Sequence, residues 1–90
     1  MAEIVEKVTI QNKLGLHARP AALLVQEAAK FKAKIELEND EIKVNGKSIM
    51  GVMMLAAACG TDLKIMVDGD DAADALNAIK TLIMNKFDEE

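Results

Sequence analysis

Lys32-Ala33-Lys34-Ile35-Glu36-Leu37-Glu38, then Asn39-Asp40, then Glu41-Ile42-Lys43-Val44-Asn45, alternates charged and apolar side chains through two short runs separated by a turn pair. Successive side chains of a strand point to opposite faces, so this period of two predicts a β-hairpin with one apolar and one charged face. A sheet containing it is covered on one side and wet on the other. Every other element must then extend the sheet or cover its apolar side.

Upstream, Ile4-Val5-Glu6-Lys7-Val8-Thr9-Ile10 is β-branched and roughly alternating, and downstream Asp62-Leu63-Lys64-Ile65-Met66-Val67 repeats the pattern, so two further strands are expected. Between the first strand and the hairpin the period becomes helical from Pro20. Ala21, Leu24, Val25, Ala28 and Phe31 share one side, and Arg19, Gln26, Glu27 and Lys30 the other. Pro20 suits a first turn, where its missing N–H is no loss. Residues 48–58 read as a short helix that Gly60 ends as a left-handed cap. After the turn Asp68-Gly69-Asp70, an acid-capped helix over 71–84 buries Ala72, Ala75, Leu76, Ile79 and Ile83, and the charged tail Asp88-Glu89-Glu90 is expected to fray. The order βαββαβα defines one α+β domain over 1–90, an antiparallel sheet with helices on one face.

A chain of 90 residues has room for one core. Its composition, 51% hydrophobic and 29% charged with one cysteine, excludes disorder and a disulfide scaffold. The longest apolar run, 49–59, is too short to cross a bilayer, and no basic-then-apolar leader opens the chain. A net charge of -4 argues against nucleic acid as the main partner. A cytoplasmic, monomeric domain is the expectation.

The chain has one His, one Arg, one Ser, one Pro and one Cys, and three of these lie in Gly15-Leu16-His17-Ala18-Arg19-Pro20. His17 falls where a loop becomes a helix. Backbone N–H groups at a helix start, with the positive end of its dipole, form an anion site, and Arg19 adds a fixed charge two residues on. Imidazole is a nucleophile near neutral pH, so the arrangement is a nucleophile inside a phosphate cradle. No carboxylate lies within five residues of His17, and no second His or Cys cluster suggests a metal. The bland alternative is a histidine that caps a helix beside a solvated arginine. Leu23, on the polar side of the same helix, favours a docking surface beside a reactive group.

Ile49-Met50-Gly51-Val52-Met53-Met54-Leu55-Ala56-Ala57-Ala58 is apolar all round. A helix on a one-sided sheet buries one stripe, assigned to Val52, Leu55 and Ala56, which leaves Ile49, Met50 and Met53 exposed as an adaptable docking patch. A fully buried core helix is the competing reading. Ser48 occupies the N-cap position, and its hydroxyl at the patch rim is also a place for a charge switch. Cys59 reads as a small inert apolar residue.

Gly15-Leu16-His17-Ala18-Arg19-Pro20-Ala21, together with Lys47-Ser48-Ile49-Met50-Gly51-Val52-Met53, resembles the HPr family, the histidine-containing phosphocarriers of the bacterial phosphotransferase system. The spacing of the two motifs, the element order and the length match over essentially the whole chain. The resemblance implies an open-faced β-sandwich of four antiparallel strands with three helices on one side. It implies that His17 is phosphorylated on Nδ1, that Arg19 helps hold the phosphoryl group, and that Ser48 is the regulatory serine of HPr kinase/phosphorylase. Ala18, Ala22, Leu23, Ile49, Met50 and Met53 would form the surface for enzyme I and EIIA-type acceptors. No cofactor is expected, and the chain would be a phosphoryl-transfer intermediate more than a stand-alone enzyme. Asn12-Lys13-Leu14-Gly15 looks more like the nitrogen-related members, and Met54 and Ala56 replace small or glycine residues of many sugar-type members. A regulatory role in the nitrogen branch, with the corresponding enzyme I counterpart, is therefore the alternative. A purely regulatory relative would lack the histidine, and a small-molecule-binding domain would show a glycine-rich ligand loop.

Overall fold

The computed structural model describes residues 3–55 and 57–88. Four strands, β1 Glu3–Thr9, β2 Lys34–Glu38, β3 Lys43–Asn45 and β4 Asp62–Asp68, form one sheet in the order β1-β4-β2-β3, every neighbouring pair antiparallel. Three helices, α1 Ala18–Ala28, α2 Ile49–Met54 and α3 Ala72–Met84, cover the apolar side. The expected open-faced α+β sandwich is the fold observed.

The hairpin register follows the alternation: Leu37 pairs with Val44 and Glu38 with Lys43. Ile35 and Leu37 are buried with Leu63, Ile65 and Val67 of β4, while Lys34, Lys43 and Lys64 stay on the wet side. The connection is longer than the Asn39-Asp40 pair. The Asn39 side chain accepts from the N–H groups of Glu41 and Ile42 at 2.8 and 2.9 Å, and these local bonds delay β3 to Lys43. Met66 also departs from the simple alternation. Its register places it between Val5 and Glu36 on the open face, yet it is buried, because a central strand has neighbours on both sides.

Helix α3 buries Ala72, Ala75, Leu76, Ile79 and Ile83, the stripe that its period predicts. Asp71 stands at its N-cap position without capping it. The carboxylate instead accepts from the N–H groups of Lys32 and Ala33 at 2.9 and 2.8 Å, stitching the start of α3 to the approach to β2. The bond from the Lys32 N–H holds the Asp71 carboxyl below the usual range, helped by Ala33 and the Lys47 charge and opposed by burial. A depressed carboxyl pKa contributes stability that is complete above about pH 4 and is lost as pH falls through the folded value. Asp71→Asn should therefore lower the urea midpoint at pH 7, and the gap to wild type should narrow below about pH 3. A gap that stays constant with pH would show that the charge is irrelevant to this stitch.

The second helix is shorter than the 48–58 expected. It stops at Met54, and Gly60, although left-handed at φ +90°, does not cap it. The residues beyond are drawn into other bonds: Ala57 accepts from the Leu16 N–H at 2.8 Å, and the Gly60 N–H donates to Ile10 at 2.8 Å. Helix α1 ends at Ala28, before Phe31, and both Phe31 and Val25, the latter within the helix, are half-buried against the core. The Lys47 ammonium donates to the Phe31 carbonyl at 2.7 Å and ties the approach to α2 to the end of α1. Beyond α3, a left-handed turn at Lys86–Asp88 seats Phe87 in the core, so Asp88 belongs to a defined turn, while Glu89 and Glu90 lie outside the described residues.

Candidate functional site

The loop between β1 and α1 determines where His17 stands. Ile10 donates to the Thr61 carbonyl at 2.9 Å, anchoring the loop's start to the segment before β4. Asn12, only 1% exposed, closes a turn with Gly15: the Gly15 N–H donates to the Asn12 carbonyl at 3.1 Å, and the Asn12 side-chain amide donates to the Gly15 carbonyl at 2.8 Å. Gly15 has φ +68°, and a Cβ there would lie 2.3 Å from the Ala57 carbonyl oxygen. Only glycine accepts both that backbone conformation and that approach. Gly15→Ala should cost about 2 kcal/mol or more, from the left-handed penalty plus the clash with backbone. Urea denaturation checks this, and a loss under about 0.5 kcal/mol would mean that the loop and residues 57–58 separate easily.

Leu16 is buried, and His17 follows as the N-cap of α1, half-buried, with extended backbone at φ -78° and ψ -172°. Its carbonyl accepts from Ala21 at 3.0 Å, while its side chain makes no capping bond to the helix. The first-turn amides thus face outward beside the ring, with the positive end of an 11-residue helix behind them. Pro20 is buried within this first turn, where no N–H is required, and Ala18 and Arg19 are exposed. The His17 ring, a helix-dipole end and the exposed Arg19 share one corner of the fold. Such a corner can receive a tetrahedral dianion and release it again.

Helices α1 and α2 pack against each other, which sets the second motif beside the first. Val52 of α2 is fully buried and Leu55 just beyond it is 4% exposed, whereas Ile49, Met50, Met53 and Met54 are 41%, 70%, 42% and 66% exposed. The competing reading of a wholly buried helix does not hold, and Met54 joins the exposed set. Ala56, assigned to the buried stripe, lies outside the described residues. Leu23 needs correction: it is half-buried and packed against the core, on a side of α1 that periodicity alone assigns to solvent. Ala22 is half-buried as well. Ser48 is the N-cap of α2, its hydroxyl oxygen accepting from the Gly51 N–H at 3.1 Å.

Sequence reasoning missed Asn12 as a structural group. The Asn-x-x-Gly spacing is a turn signal that could have found it. Cys59, read from the sequence as a small inert apolar residue, is exposed, its thiol 3.7 Å from the Gln11 carbonyl. Among the described residues no group of three or more His, Cys, Asp or Glu is assembled to hold a metal, and no helix is long and apolar enough to cross a membrane. A surface depression of about 700 Å³ lies between residues 38–41 and 60–64, and neither His17 nor any α1 residue lines it.

Fold and site together define a small open-faced α+β domain that presents a single imidazole at a helix N-terminus beside an apolar helix. The family model described as "PTS HPr component phosphorylation site" matches residues 4–85. The phosphocarrier protein HPr of Treponema pallidum is 54% identical over 97% of this chain and 99% of its own length. The crystal structure of an HPr from Thermoanaerobacter tengcongensis aligns with a TM-score of 0.91 at 50% identity, covering 100% of this chain and 99% of that one. An HPr dimer from the same organism aligns at 0.78 with 51% identity, over 91% of this chain and 94% of its own. The chain belongs to the HPr family of phosphocarriers of the phosphotransferase system.

Proposed function

We propose that the protein accepts a phosphoryl group on a ring nitrogen of His17 from phosphorylated enzyme I and passes it to an EIIA-type acceptor. The observation that carries this reading is the placement of the lone histidine at the start of α1, with its side chain outside the capping role and Arg19 exposed beside it. In each transfer the imidazole lone pair forms a P–N bond as the bond to the donor's ring nitrogen breaks, and the departing ring keeps that electron pair. The helix start and Arg19 balance the charge on the equatorial oxygens, and orientation does most of the work. The protein acts as a cytoplasmic monomer in this reading, with equilibrium sedimentation as its check.

Incubation with phosphoenolpyruvate and enzyme I should give one acid-labile, base-stable phosphate per chain. No incorporation would overturn the assignment. Ile49, Met50 and Met53, with Ala18, form the docking surface, and Met50→Glu should weaken donor binding by about 1–3 kcal/mol. Because Met50 is largely exposed, the thermal midpoint should hold, and a collapsed fold would make Met50 a core residue. Ser48 is the site at which HPr kinase/phosphorylase regulates transfer. The Asn12-Lys13-Leu14-Gly15 turn favours one second reading, service in a nitrogen-related regulatory branch, which a preference for that branch's enzyme I counterpart would reveal.

A further inference from the structure

Asn12 is the one buried polar residue among those described, and its side-chain amide reaches the peptide group that joins Gly15 to Leu16. The Gly15 carbonyl accepts from the Asn12 side-chain amide at 2.8 Å, and the N–H of the same peptide group, that of Leu16, donates to the Ala57 carbonyl at 2.8 Å. The peptide plane between Gly15 and Leu16 is thereby held at both edges. Only the backbone torsions of Leu16, whose side chain is buried, separate this plane from His17. On the other side the His17 carbonyl is already in the helical ladder, bonded to the Ala21 N–H at 3.0 Å. The Cα of His17, from which the ring extends, is therefore held between two fixed frames.

We propose that Asn12 is a positioning residue for phosphoryl transfer: its side-chain amide orients the Gly15–Leu16 peptide and through it the line of attack of the His17 ring. The proposal rests on the reading of His17 as the phosphoryl acceptor. The side-chain chemistry is specific. A carboxylate at this position would turn an acceptor toward the Gly15 carbonyl, and an apolar residue would leave that carbonyl without its donor. In-line transfer is sensitive to such errors, since a displacement of about 1 Å can cost about 100-fold in rate.

The test uses the intact protein as the substrate of enzyme I with phosphoenolpyruvate, comparing wild type, Asn12→Ala, Asn12→Ser and Asp71→Asn, the last a destabilised control remote from the loop. Asn12→Ala should lower kcat about tenfold or more with KM nearly unchanged, because the docking residues are untouched. The ring C–H resonances of His17, the only imidazole, should shift in Asn12→Ala and stay in place in Asp71→Asn. Asn12→Ser supplies a second folded variant, with a smaller donor and an intermediate defect. An unchanged kcat, or an equal fall in Asp71→Asn, would overturn the positioning role while leaving His17 as the acceptor. Failure of both Asn12 variants to fold would make Asn12 a folding residue and also overturn it. A wild-type protein that takes no label would overturn the functional reading and this proposal with it.

Discussion

His17→Ala will take up no phosphoryl group from phosphorylated enzyme I, and it will unfold close to the wild-type midpoint. The expectation follows from chemistry, because the chain has one imidazole to accept the group. The Arg19 guanidinium is a permanent cation with no lone pair to attack with, and hydroxyl or carboxylate acceptors are absent between residues 12 and 22. The structural half of the prediction follows from the cap geometry. The His17 side chain makes no capping bond to α1, while the backbone carbonyl that opens the helical ladder survives the substitution. A half-buried ring lost without a cap bond should cost no more than about 1 kcal/mol. Acid-labile incorporation and a thermal melt, run on the same preparation, separate the two halves. Label retained by the alanine variant would move the acceptor elsewhere, and a large loss of stability would make His17 a structural cap after all.

Phosphorylation of Ser48 should slow labelling of His17 by about two orders of magnitude or more without unfolding the protein. The phosphate adds about -1.5 to -2 charges. Its local effect is mild, because the Ser48 oxygen already accepts from the Gly51 N–H and a phosphate ester still offers acceptor oxygens there. The injury falls on docking. Ser48 immediately precedes Ile49 and Met50, both exposed, so a partner matched to that apolar surface would have to desolvate a dianion at its edge. A charge mispaired in this way costs a few kcal/mol, so about 100-fold in rate is the floor expected. Ser48→Asp should reproduce only part of the effect, with less charge on a shorter arm. Ser48→Ala should transfer normally despite a cap loss of about 1 kcal/mol. Rates of His17 labelling for the unmodified, phosphorylated and Ser48→Asp proteins decide the matter, and three equal rates would reduce Ser48 to a helix cap.

Much of this molecule is legible in its sequence wherever a local period governs. The alternation through Lys34–Glu38 and Lys43–Asn45 places Ile35 and Leu37 in the core, and the 3.6-residue period of α3 marks each of its five buried residues. Those patterns succeed because covalent geometry alone decides which side chains share a face. The neighbourhood of His17 and Arg19 was legible too, since both stand within three residues at a loop-to-helix change. Long-range contacts decided the rest. The strand order β1-β4-β2-β3 pairs residues more than fifty positions apart, as Thr9 with Asp62. Helix α2 stops at Met54 because Ala57 and Gly60 gain better-placed partners in the β1–α1 loop. Leu23 packs against the core, and Asp71 leaves its own helix to bind Lys32 and Ala33. Asn12 and Gly15 acquire their meaning only when residues 57–58 come to rest against them. In each case a polar group or a side of a helix chose between a local partner and a distant one, and the distant one won because it allowed burial without leaving a hydrogen bond unmade.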